Sequence, residues 1–189
     1  IARPFLTKLY DELDESVHLC AFNNDAAYVV DQVQSNKVYN LSATVGMAEP
    51  LHSSSVGKCI LAFRAPFAAV RLLKDYPLTA YTPKTITDMD ILMEQLAIIR
   101  SQGYAVDDEE IALGVRCIAA PIYDYRGEVN YSLGVSGTTN NIKPAAMDRY
   151  LSALLSASSQ ISSALGYKCG RQRPEVQPPV PYGDSGREE

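Results

Sequence analysis

The chain has 189 residues, 47% of them hydrophobic and 21% charged, with a formal net charge of −5, which fits one soluble globular domain whose core needs no disulfide staples. That acidic balance excludes a basic face able to grip phosphate backbones by itself, and no apolar run reaches the length of a bilayer span. Cys20, Cys59, Cys117 and Cys169 lack paired spacing and are expected to be reduced in the cytoplasm; with only His18 and His52 as imidazoles, neither a metal site nor a cofactor is expected.

The first residues, Ile1-Ala2-Arg3-Pro4, carry neither an initiator Met nor a signal-peptide layout and read as the start of a piece cut from a longer protein. From Pro4 to Glu15, Phe5, Leu6, Leu9 and Leu13 recur at helical spacing, so residues 1–15 are expected to form a leading linker helix. Residues 16–23 and 26–34 are rich in Val, Leu, Phe and Tyr and flank Asn24-Asp25, a pair suited to a hairpin turn. A third strand is expected over 37–44. Residues 50–62 form a hydroxyl-rich turn that runs into a small-residue apolar helix near 54–63. Pro66 opens a short helix carrying Phe67, Val70, Leu72 and Leu73 and ending by Tyr76-Pro77.

Thr87, followed three residues later by Asp90, predicts a capping box for a helix with Met89, Leu92, Leu96 and Ile99 on one face, and Gly103 supplies a left-handed stop. Residues 116–123 and 128–136 read as antiparallel strands joined around Asp124-Tyr125-Arg126-Gly127. The last helix starts near Pro144, shows Met147, Leu151, Leu154, Leu155, Ile161 and Leu165 at helical spacing, and ends at Gly166. Residues 171–189 are Pro-rich and charged with little to bury, so a disordered tail is expected after a domain over 16–170. This order of elements predicts an α+β fold, an antiparallel sheet flanked by helices.

The helix start after His52 exposes backbone N–H groups and the positive end of a helix dipole, a natural seat for a small carboxylate. The plainer role for Ser53 or Ser54 is to cap a structural helix. Downstream, the acidic segment Asp107-Asp108-Glu109-Glu110, a strand bearing Cys117 and a strand bearing Ser136 can converge on that start, giving one pocket with an anion seat and an acceptor carboxylate. Taken singly, these are an ordinary solvated turn, a small buried thiol and a satisfied strand hydroxyl.

Three blocks in this order resemble the effector-binding domain of IclR-family bacterial transcription regulators: Pro50-Leu51-His52 through Gly57-Lys58 to Leu61-Ala62, Gly103-Tyr104 through Asp107 to Glu110, and Cys117-Ile118-Ala119-Ala120-Pro121. The resemblance runs from about Pro4 to Gly166. It implies a GAF-like (profilin-like) fold that binds a small organic acid, joined in the whole protein to an N-terminal winged helix-turn-helix through which alone DNA would be contacted. A homodimer or homotetramer is implied, and no membrane. Carried over position by position, the ligand contacts fall on the backbone N–H groups of Ser55 and Val56 and on Asp107, Cys117, Gly134 and Ser136, with apolar walls from Leu41, Met47 and Val115. Family members often have Ser where Gly134 stands and a basic residue at or beside Met47; both differences are expected to remove polar grip and widen the pocket.

The expected ligand has two unlike ends: its carboxylate on the Ser55 and Val56 N–H groups and the Ser136 hydroxyl, and a hydroxyl or hydrated carbonyl donating to Asp107, which would repel a second carboxylate. Two other readings compete. One is a GAF-like enzyme with Cys117 as nucleophile and His52 as base, disfavoured because Cys117 lies in an apolar run. The other is a dimerisation module without ligand, anchored by Tyr123, Tyr125 and Tyr131.

Overall fold

The computed structural model describes residues 1–37 and 43–168. Helix α1 (Arg3–Leu13) takes Pro4 in its first turn, where a missing N–H is harmless, and ends at Asp14, whose left-handed backbone (φ 54°) returns its N–H to Tyr10 O. It buries Leu6, Leu9 and Leu13. Strands β1 (Ser16–Asn23) and β2 (Ala26–Val33) form the expected hairpin. Asn24 and Asp25 both adopt positive φ (47° and 61°), which their short polar side chains tolerate and the twist of a two-residue hairpin demands.

The third strand expected over 37–44 falls mostly outside the described residues, at 38–42. Thr44 sits in a turn whose carbonyl accepts from Met47 N–H, and the pairing with β2 is made by β3 (Ala48–Glu49). Helices α2 (Ser55–Ala62), α3 (Pro66–Leu73) and α4 (Met89–Gln102) follow. The cap of α4 is Asp88 rather than Thr87: its carboxylate accepts from the N–H groups of Asp90 and Ile91 at 2.9 and 3.0 Å, and Gly103 (φ 85°) terminates the helix.

Asp107 and Asp108 belong to a strand, β4 (Ala105–Asp108), not to the acidic turn that their charge predicted. Strands β5 (Val115–Tyr123) and β6 (Val129–Thr138) and helix α5 (Met147–Ala164), preceded by a 3-10 turn at Pro144–Ala146, complete the domain. The six strands form one antiparallel sheet in the order β3-β2-β1-β6-β5-β4, so the chain's first and last strands meet at its centre. Alternation along the strands divides the core. Val17, Ile118, Ala120, Ile122, Leu133 and Val135 pack with α1 and α5, while Cys20, Val29, Ala105 and Ala119 pack with α2 to α4. Among the described residues no helix is long and apolar enough to cross a membrane. The tail expected over 171–189 lies outside the described residues.

Candidate functional site

The start of α2 is built by two residues. Ser54, the cap, accepts from Gly57 N–H at 2.9 Å and donates its hydroxyl to Pro50 O at 2.7 Å, so one side chain both starts the helix and ties down the turn before it. A Cβ on Gly57 would fall 2.5 Å from Pro50 O and 2.7 Å from Leu51 Cα, so only glycine lets the turn fold this close. The first helical bond runs from Lys58 N to Ser54 O. Consequently the N–H groups of Ser55 and Val56 have no partner among the described residues. The hydroxyls of Ser53 and Ser55 and Nδ1 of His52 are likewise buried and unpartnered.

Beneath this turn, strand pairing lines up two rows of side chains on the α2 face, because directly opposed residues share a face. Asp107, Cys117, Ser136 and Ser16 form one row across β4, β5, β6 and β1. Ala105, Ala119, Gly134 and His18 form the next. Val115 stands two residues before Cys117, on the same face and 9% exposed. Thus Asp107, Cys117, Ser136, Gly134 and Val115, far apart in sequence, share one face with α2 packed on it. Met47 does not join them: it is 54% exposed in the loop before β3. Leu41 lies outside the described residues.

Burial governs the electrostatics. Asp107 accepts from Glu110 N–H at 2.7 Å, yet loss of water pushes its carboxyl up to about 7, with Glu110 adding to the rise. Cys117 is pushed up by desolvation and by Asp107 across the strand pair, against a hydrogen bond from Ser136. Lys58, 1% exposed, reaches past the site to donate to Val106 O at 2.8 Å and pair with Glu110. Burial raises Glu110 from its ordinary value while Lys58 pulls it down.

Three residues of this site escaped the sequence reading. The Lys58–Glu110 pair appeared only as scattered motif positions, since no local spacing links residues 52 apart. His18 was weighed only as a metal ligand; its alternation with Ser16 and Cys20 was visible, but the pairing of β1 with β6 was not. A Cβ on Gly134 would overlap His18 Nε2 and lie 2.8 Å from Val56 Cγ1. The absent side chain at Gly134 therefore does not widen a pocket, as the sequence implied; the imidazole of His18 occupies the space.

The Cys117–His52 pairing finds no support in this geometry. His52 Nε2 lies 3.0 Å from Thr79 O, and its ring packs on Tyr76 and Tyr81. Cys59 is pushed up to about 12 by burial, and Cys20 also rises, so the described thiols are stabilised as thiols rather than thiolates. Of the hairpin tyrosines, Tyr123 stacks on Tyr167 and meets Phe63 edge-on, whereas Tyr125 is 65% exposed.

An antiparallel sheet packed between two helical layers, with a helix start and its free amides over a row of polar side chains, makes this an α+β domain with one polar face. Residues 1–163 match the family model described as bacterial transcriptional regulator IclR C-terminal, and the chain belongs to the IclR family as its C-terminal effector-binding domain. It is 35% identical over 161 residues to the HTH-type transcriptional regulator BhcR of Paracoccus denitrificans, covering 85% of this chain and 58% of that one. The structure superposes on the C-terminal domain of the Escherichia coli regulator KdgR with a TM-score of 0.80, at 30% identity over 88% of this chain and 96% of that one. It also matches the inducer-binding domain of PobR from Acinetobacter, a double mutant in complex with 3-hydroxybenzoic acid, with a TM-score of 0.77 at 25% identity over 85% and 95%. The chain spans 58% to 66% of the length of the curated relatives it matches first.

Proposed function

We propose that this domain senses a small organic acid and transmits its binding to a DNA-reading part of a longer protein, and that it is not an enzyme. The observation that carries the reading is the pair of unpartnered N–H groups on Ser55 and Val56, with the buried unpartnered Ser55 hydroxyl beside them, above the Asp107–Cys117–Ser136 row. A carboxylate at the helix start would take both amides, donors that folding left unpaired, and draw the Ser136 hydroxyl away from Cys117. The second end of the ligand reaches Asp107, whose raised carboxyl can accept from a hydroxyl or, when protonated, donate to a carbonyl. PobR, which holds 3-hydroxybenzoic acid, supports an acid with a second polar group.

Hydrogen bonds to a charged group contribute roughly 1.5–3 kcal/mol each, and association costs at least ~4 kcal/mol, so three such bonds alone leave at most about 5 kcal/mol, a dissociation constant of about 0.2 mM at best. Two or four copies would couple ligand binding to the spacing of their DNA-reading parts by favouring one arrangement of subunits. A thermal-shift screen of hydroxy, keto and aromatic acids is expected to return stabilising ligands. Proline suits the first turn of a helix, so Ser55→Pro removes one amide and one hydroxyl without breaking α2. Calorimetry on Ser55→Pro and Asp107→Ala is expected to show weakened affinity in both; unchanged affinity in both overturns the assignment.

A further inference from the structure

We infer that His18 is a specificity-determining contact of this site, its ring donating a hydrogen bond to the ligand's carboxylate beside the amides of α2. The inference rests on the acid-sensing reading and adds a residue of β1 that none of the family motifs contains. Three observations carry it. First, His18 is 5% exposed, and its imidazole has no hydrogen-bond partner among the described residues. Second, its position is fixed by the site itself. His18 pairs with Gly134 across β1 and β6, Nε2 occupies the space a Gly134 side chain would fill, and Val56 Cγ1, from the second residue of α2, closes on the same point. The ring thus stands where the helix presents its free N–H groups. Third, Ser55 Oγ is also buried and unpartnered at that helix start.

Glycine at 134 and histidine at 18 then act as one unit: the missing hydroxyl on β6 is replaced by an imidazole reaching in from β1. The ligand is bounded accordingly. His18 on β1 and Asp107 on β4 are three strand spacings apart in the order β1-β6-β5-β4, about 14 Å between backbones. With the His18 ring reaching over Gly134, that span fits an acid of a few carbons or a single aromatic ring, its carboxylate at the His18 end.

The chain has only two histidines, so its imidazole NMR signals are two and are assigned by one variant. Lactate, pyruvate and 3-hydroxybenzoate, each beside its amide, would be titrated into the 189-residue chain while melting temperature and imidazole signals are followed. At least one acid is expected to stabilise the protein and move the His18 signals, leave those of His52 in place, and exceed its amide. His18→Phe is expected to weaken that acid about tenfold or more, as loss of one bond to a charged group does, while His18→Gln retains part of the affinity. An acid that binds with the His18 signals unmoved, or binds His18→Phe as tightly, overturns the contact and leaves the acid-sensing reading standing. Amides that bind as well as their acids, or no binding by any acid, overturn that reading and the contact with it.

Discussion

At Lys58 the chain places an ammonium group where water does not reach, and the cost is offset by Val106 O and the Glu110 carboxylate. Lys58→Met leaves Glu110 buried and unpaired, so a loss of about 3–5 kcal/mol in urea unfolding at neutral pH is expected, shrinking on acidification as Glu110 takes up a proton. Two further buried groups give the domain opposed pH responses. Burial lowers His18 to about 4. Its unfolded value is about 6.5, so its contribution is fully present above that pH and is lost as pH falls towards 4, about 3 kcal/mol in all. Asp107, raised to about 7, does the reverse: its contribution is full below pH ~4 and is lost as pH rises through 7. Relative to the parent chain, His18→Asn is therefore expected to gain stability and Asp107→Asn to lose it as pH drops from 6.5 to 4, measured by denaturant midpoints along the pH series.

Helix α2 shows how an element only eight residues long is held in place. Isolated, it is too short to persist; here Ser54 caps it, Gly57 admits the preceding turn, and Cys59, Ile60 and Leu61 are buried beneath α4 and the sheet. Ser54→Ala is expected to cost about 0.5–2 kcal/mol, and Gly57→Ala about 1–3 kcal/mol because the new methyl meets backbone that cannot step aside. If the helix start is the ligand seat, Gly57→Ala weakens acid binding as well, since the turn that fixes the Ser55 and Val56 amides must shift; calorimetry beside chemical denaturation reads both effects. Strand β4 was illegible for a related reason. Four residues at a sheet edge, two of them acidic, have no strand signature of their own and become a strand only because β5 lies alongside.

Across the whole molecule, one sheet separates two packing layers with different tasks. Helices α1 and α5 seal the face lined by Val17, Ile118, Leu133 and Val135, and the opposite face carries the candidate site. Leu6, fully buried between them, is expected on replacement by Ala to cost about 2–5 kcal/mol while leaving acid affinity unchanged, because the defect lies across the sheet from the proposed ligand seat. Denaturation and titration of the same variant test that separation.

The sequence by itself determined what is local. Helical spacing in α1, α4 and α5, the Asn24-Asp25 hairpin, the glycine stop at Gly103 and the free amides ahead of Val56 all follow from residues within a turn or two of each other. With the motif order of residues 50–62, 103–110 and 117–121, that was enough for the α+β class and the family. Only the tertiary structure decided what meets across the sheet: Asp107 opposite Cys117, Cys117 opposite Ser136, Lys58 beneath Glu110, and the ring of His18 in the space left by Gly134. Strand register and burial couple residues a hundred positions apart, and the chemistry of a buried group is set by the neighbours that register brings to it rather than by those beside it in the chain.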